Sequence, residues 1–303
     1  MGLSTLSATD LPLLATLRPG DAVDGVFACA RKERLATRTG SPYLALELRD
    51  RSGALPARLF RDADLWGARF EAGDLVSVSG RVARFREELQ IELERVERAE
   101  GEEADPRRFL PVAYRDLDEL EGFLEHLARE VLEPGYARLL AALFADGGLR
   151  AAWRLAPCTR AGHHAYLGGL LEHSVAVGTL AQEVALQHPR LDRDLLLCAA
   201  LVHDLGKTRE FVYGATIELS DEGRLVGHVA LGLELISRYA GGVEAGRLLA
   251  LHHCVLCHHG PDAAPGARFH SAEALALYRI NALDAAVKGA LEHGLERQRP
   301  SRS

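Results

Sequence analysis

The sequence predicts two folded parts, an all-β barrel followed by an all-α domain. Three observations carry this. Short strand-like runs separated by turn signals fill residues 20–98. From about residue 115 the apolar residues recur at helical spacing instead. The 13 histidines of the 303-residue chain follow the same division: none precedes His126, and ten lie between His163 and His259.

The strands come in order. Residues 22–30 are rich in small and β-branched side chains. Residues 43–48 alternate roughly in and out. Residues 54–60 follow a turn signal at 50–53, Asp-Arg-Ser-Gly. Residues 74–82 and 88–96 complete the set, with Leu89, Ile91 and Leu93 on one face. Residues 62–70 predict a short helix between the third and fourth strands. Five strands with a helix in that place is the order of an OB-fold, here residues 1–98. Residues 99–112 are charged and proline-flanked, which predicts a linker.

The all-α domain occupies 113–303. Leu117, Leu120, Phe123, Leu124 and Leu127 repeat as one helix face. Further helices are expected over 135–146, 162–188, 192–204, 228–240, 243–259 and 271–294. Residues 211–225 predict a β-hairpin turning at Asp221-Glu222-Gly223.

Composition narrows the function classes. Hydrophobic residues make up 48%, enough for packed cores. No apolar run reaches bilayer length, so no membrane partner is expected. Residues 1–10 hold no basic residue and no signal pattern, which points to the cytoplasm. The five cysteines are scattered and odd in number, and read as reduced thiols. A net charge of −7 argues against coating nucleic acid by bulk electrostatics. It suits a site whose carboxylates are offset by metal cations.

The sharpest local signal is His203-Asp204-Leu205-Gly206-Lys207. Adjacent imidazole and carboxylate ligands at a helix end can reach one ion. That donor set suits Mn or Fe, with Zn, Ni or Co able to bind and Mg less favoured. Asp204 has two oxygens and can bridge two ions. Lys207 brings a cation close to a bound phosphate. A lone His-Asp pair proves little, but His173, His228 and Asp284 also interrupt apolar or small-residue faces, and His258-His259 closes a helix. Polar groups on such faces are costly unless something satisfies them.

The order His…His-Asp…His…His…Asp, with Gly-Lys after the pair, resembles the HD-domain superfamily of metal-dependent phosphohydrolases. The phrases His163-His164-Ala165-Tyr166-Leu167-Gly168-Gly169-Leu170-Leu171-Glu172-His173, Gly227-His228-Val229 and Cys257-His258-His259-Gly260 resemble the YhaM-type 3′–5′ exoribonucleases, which also place an OB domain before the HD domain. The resemblance implies a divalent-metal centre of two ions, roughly 3.5–4 Å apart, that activates water for in-line attack. His173, His203, Asp204 and Asp284 would hold one ion. Asp204 would bridge to a second, held also by His228 and His258. Lys207, Asp204 and His259 would act on the scissile phosphate, with His259 a ligand or a phosphate contact. The substrate implied is single-stranded RNA, or DNA.

Substrate contacts are expected from His163 and His164, which could equally cap their helix. In the barrel, Phe27, Tyr43, Phe60 and Phe85 can stack bases, and Arg58, Arg84 and Arg86 can track phosphates. Against that, residues 1–100 hold 15 Lys/Arg and 16 Asp/Glu, a poor electrostatic funnel. His252 and His253 have no secure place in the motif. Cys254-Val255-Leu256-Cys257-His258 fits a haem-attachment pattern, which the missing export signal rejects. The alternatives are a small-nucleotide phosphohydrolase with a regulatory barrel, a non-catalytic binding protein, and an oxidase on the same scaffold. Assembly into a homo-oligomer is a further expectation.

Overall fold

In this computed structural model the described residues are 13–50, 52–86, 88–100, 105–214, 216–261 and 268–294. They divide into two compact units, one running to Pro111 and also taking in Tyr213–Thr216, the other Val112–Val212 with Ile217 onward.

Side-chain alternation builds the first unit. Its strands are β1 (Ala22–Ala36), β2 (Pro42–Asp50), β3 (Gly53–Leu59), β4 (Leu75–Phe85) and β5 (Glu88–Arg98). They close in the order β1-β2-β3-β5-β4, with β1 pairing back to β4. Leu44, Leu46 and Leu48 face inward from β2, beside Leu59, Val78, Ile91 and Val96. A fully buried leucine such as Leu48 contributes about 1.5–3 kcal/mol. The sheet closes tightly at Gly80, where any Cβ would lie 2.3 Å from the Glu92 carbonyl oxygen.

Helix α1 (Ala63–Gly67) sits between β3 and β4, as the OB order requires. Strand β1 runs six residues beyond its predicted end. Its charged extension is tied down at Lys32, whose Nζ donates to the Gly67 carbonyl at 2.6 Å and the Phe70 carbonyl at 2.5 Å.

The second unit is helical: α2 (Leu117–Arg129), α3 (Pro134–Ala145), α4 (Gly147–Leu155), α5 (Gly169–Gln187), α6 (Arg193–Val202), α7 (Lys207–Glu210), α8 (Asp221–Leu225), α9 (His228–Tyr239), α10 (Ala245–Cys257) and α11 (Ala272–His293). Carboxylate caps start several of them. Asp116, Asp146 and Asp192 each accept from backbone N–H groups of the following turn. Helix α6 is buried from Leu195 to Val202, and α5 is mostly buried over its first half, Gly169 to Gly178. Helices apolar on all sides belong at the centre of a core.

Three sequence expectations need correction. Helix α4 went unpredicted; the Asp146 side chain starts it by accepting from the Leu149 N–H. The helix expected from residue 162 begins only at Gly169, after a looped segment in which His164 has φ of 53° and Gly168 of 78°. The hairpin pairs β6 (Phe211–Tyr213) with β7 (Ile217–Leu219), so its turn precedes the expected one. Asp221-Glu222-Gly223 opens α8, capped by the Ser220 hydroxyl.

Candidate metal centre

The site is assembled at the C-terminal end of α6. His203 caps that helix, and Leu205 and Gly206 turn the chain into α7. Gly206 lies so close to α9 that a Cβ would be 1.9 Å from the His228 carbonyl oxygen. That approach brings His228 to Asp204.

The buried Asp204 carboxylate presents one oxygen to each of two histidine groups. Oδ2 lies 3.5 Å from His173 Nε2 and 3.4 Å from His203 Nε2, and those nitrogens are 3.2 Å apart. Oδ1 lies 3.5 Å from His228 Nε2 and 3.4 Å from His258 Nε2. His259 Nε2 is 2.8 Å from His228 Nε2. Asp204, His228, His258 and His259 form one group able to hold an ion, and His173 with Asp204 belongs to another.

The outer nitrogens decide the chemistry. His203 Nδ1 donates to the Ala200 carbonyl at 2.9 Å, and His258 Nδ1 to the Val255 carbonyl at 2.5 Å. His173 Nδ1 donates to Asp284 Oδ2 at 2.6 Å, and His228 Nδ1 to Glu210 Oε1 at 2.9 Å. With Nδ1 so engaged, each ring turns its Nε2 inward, where it meets carboxylate oxygens and other ring nitrogens. Asp204 Oδ1 and His258 Nε2 are buried without a hydrogen-bond partner. Acceptors facing acceptors lack a cation, so the residues fit divalent ions.

Electrostatics agree. Burial works against the Asp204 charge, but Lys207 leads the groups that outweigh it and hold the carboxyl well below its usual range. Burial likewise opposes the Lys207 ammonium, which Asp204 holds charged at 2.8 Å. Burial pushes His173 down to about 4, against the pull of Asp284, so its ring is neutral at physiological pH.

A cleft of about 510 Å³ opens over the cluster, lined by Arg160, His163, Lys207, His228, His259 and Tyr278 among others. His164 does not line it: the residue is buried, its Nε2 3.0 Å from Asp284 Oδ2 and its Nδ1 2.9 Å from Tyr166 Oη. Asp284, expected as a ligand, sets its Oδ2 2.6 Å from His173 Nδ1 and 3.0 Å from His164 Nε2, and these three residues form a further group able to hold an ion. Lys207, expected at the phosphate, lines the cleft, with its Nζ 2.8 Å from Asp204 Oδ2. Glu210, Arg160 and Tyr278 escaped the sequence reading. Glu210 meets His228 across 18 residues, a contact that no local pattern marks.

In the barrel, Tyr43 and Phe60 stack at 5.3 Å, with Phe60 half exposed. Arg58 lies on the same face of the β2–β3 pair, opposite Ala45. Arg86 is exposed and stands over Phe85 at 5.3 Å. Phe27 is buried in the barrel core, which removes it as a base platform. His252 and His253 lie outside the ion cluster: His252 Nε2 is 3.3 Å from the Ser237 hydroxyl, and His253 accepts from the His270 backbone. The cysteines are free buried thiols. No helix of the described residues is long and apolar enough to cross a membrane.

An OB barrel joined to a helical domain with a paired histidine/aspartate centre defines a class, the HD-type metal-dependent hydrolases carrying a nucleic-acid-binding module. Family models agree: HD domain over residues 170–286, and OB-fold nucleic acid binding domain over 29–99. The 3′-5′ exoribonuclease YhaM of Bacillus velezensis is 30% identical over 244 residues, 80% of this chain and 77% of its own length. YhaM of Bacillus subtilis is 28% identical over 286 residues, 93% of this chain and 90% of its own. The chain belongs to the YhaM exoribonuclease family and is a hydrolytic enzyme. Among solved structures, the second OB-fold domain of replication protein A from Methanococcus maripaludis matches 29% of this chain and 93% of its own, at 22% identity and a TM-score of 0.23, too low to add to the fold argument.

Proposed function

We propose that this protein is a metal-dependent 3′–5′ exoribonuclease that removes nucleotides from single-stranded RNA, with Asp204 shared between two divalent ions. The observation that carries the reading is the Asp204 carboxylate, whose two oxygens each face a separate pair of inward histidine lone pairs. His173 and His203 would hold one ion, and His228 and His258 the other. Bound there, the ions would lower the pKa of water and neutralise charge developing on the phosphate.

The chain's own residues do the rest. Glu210 and Asp284 fix the His228 and His173 rings through their Nδ1 protons. Lys207 lines the cleft and holds its proton against Asp204. His259 is the most exposed imidazole of the cluster and stands where a phosphate would enter. His163 and Arg160 line the same cleft and can contact the strand. Tyr43, Phe60 and Arg58 share one barrel face and would stack bases and meet a phosphate; Arg86, exposed beside Phe85, offers a second such contact.

The donor set favours Mn or Fe over Mg. The test is digestion of a 5′-labelled single-stranded RNA with Mn²⁺ or with chelator. A metal-dependent ladder shortening from the 3′ end is expected. Intact RNA under every metal, with hydrolysis of a free nucleotide, would transfer the site to small-nucleotide chemistry. One feature favours that second reading: the β1–β2–β3 face mixes Glu33 and Glu47 with Arg31 and Arg58, a weak track for a polyanion.

A further inference from the structure

Cys158 is the one soft donor at the cluster, and nothing described so far uses it. It sits in the looped segment between α4 and α5, fully buried, with its backbone N–H donating to the His164 carbonyl at 3.1 Å. Its Sγ lies 3.8 Å from Asp204 Oδ2 and 3.4 Å from Lys207 Nζ. Cys158, His173 and Asp204 form a group whose donor atoms all lie within 4.8 Å of one another. A buried thiol filling space needs neither neighbour; aliphatic contact would serve. Here the sulfur points at the carboxylate oxygen that faces His173 and His203. The orphaned Asp204 Oδ1 and His258 Nε2 independently show that the cluster is arranged around cations.

We infer that Cys158 is a ligand of the ion on the His173/His203 side, making that site a mixed nitrogen, oxygen and sulfur site that selects a borderline or soft divalent metal such as zinc, cobalt or ferrous iron over magnesium. This rests on the metal centre proposed above. On binding, the S–H bond breaks, its proton leaves to buffer, and the sulfur lone pair bonds to the cation; no oxidation state changes. Lys207 then faces both anions of the site, which explains a buried ammonium placed between Asp204 and Cys158. Thiolate ligation pairs with metals of the zinc and iron class, whereas magnesium takes oxygen donors.

Cobalt substitution reads this directly. Metal-free full-length protein is titrated with Co²⁺ under anaerobic conditions. The wild type should show visible ligand-field bands and, with them, a near-ultraviolet thiolate-to-cobalt charge-transfer band. Cys158→Ser and Cys158→Ala, checked for an unchanged far-ultraviolet spectrum, should lose the charge-transfer band, with or without the ligand-field bands. Ligand-field bands without charge transfer in the wild type would overturn the assignment and leave the metal centre standing. A charge-transfer band undiminished in both variants would move the sulfur to another cysteine and overturn it equally. No cobalt binding in any form would remove the metal centre itself, and this ligand with it.

Discussion

Replacing Lys207 with methionine tests the electrostatics of the centre where they are most exacting. Its Nζ is 2.8 Å from Asp204 Oδ2, and the two side chains are only 7% and 2% exposed. Methionine keeps much of the stem and removes the charge. Without metal, Asp204 would then be buried with Oδ1 already orphaned and no cation beside Oδ2. Breaking such a pair from one side costs about 3–5 kcal/mol. For a unit of this size each kcal/mol shifts Tm by about 2–4 °C, so the helical signal should melt roughly 6–20 °C lower in chelator. The depressed Asp204 pKa contributes stability above the unfolded carboxyl value, and the raised Lys207 pKa below the unfolded lysine value. The deficit should therefore be flat across neutral pH. Saturating Mn²⁺ should narrow it, because a bound cation takes over the neutralising role. Thermal melts by circular dichroism, with chelator and with metal, make the measurement. A loss below about 1 kcal/mol, the size of a surface pair, would refute the reasoning.

Other perturbations follow from the same geometry. Gly206→Ala would drive a Cβ into the His228 carbonyl; overpacking should cost about 1–3 kcal/mol, and calorimetric titration should find one metal equivalent lost. Glu210→Gln weakens the hold on His228 Nδ1 and should reduce metal affinity on the order of 10–100-fold with little change in melting. Tyr43→Ala with Phe60→Ala should weaken single-stranded RNA binding by about 1–3 kcal/mol per lost base stack, read by fluorescence anisotropy, while hydrolysis of a dinucleotide is unchanged. In chelator, stability should fall as pH drops from 6.5 to about 4, because the unfolded chain takes up a proton that buried His173 refuses; urea midpoints across that range should show the slope, and metal should flatten it.

The barrel and the run of helices were legible because their signals are local. Strand alternation needs only neighbouring residues, and so does the closing phrase His203-Asp204. The failures were failures of distance. Nothing near residue 164 announces that this histidine turns inward to Asp284, 120 positions away. Asp284 had the right residue type on the right helix, yet its role depends on which nitrogen of His173 it meets. Strand β1 outruns its predicted end, and the carbonyls that receive Lys32 there come from 35 and 38 residues later. Helix α4 was missed although its start signal, the Asp146 cap, is itself local.

The shared acceptor Asp284 also sets an order of assembly. The barrel strands are complete by Arg98, so that unit can fold while the rest is still being synthesised. The inward histidines accumulate between residues 173 and 259, but the carboxylate that steers the first of them lies on α11, the last helix of the described chain. A growing polypeptide therefore completes its barrel strands well before the carboxylate that meets His173 has been made.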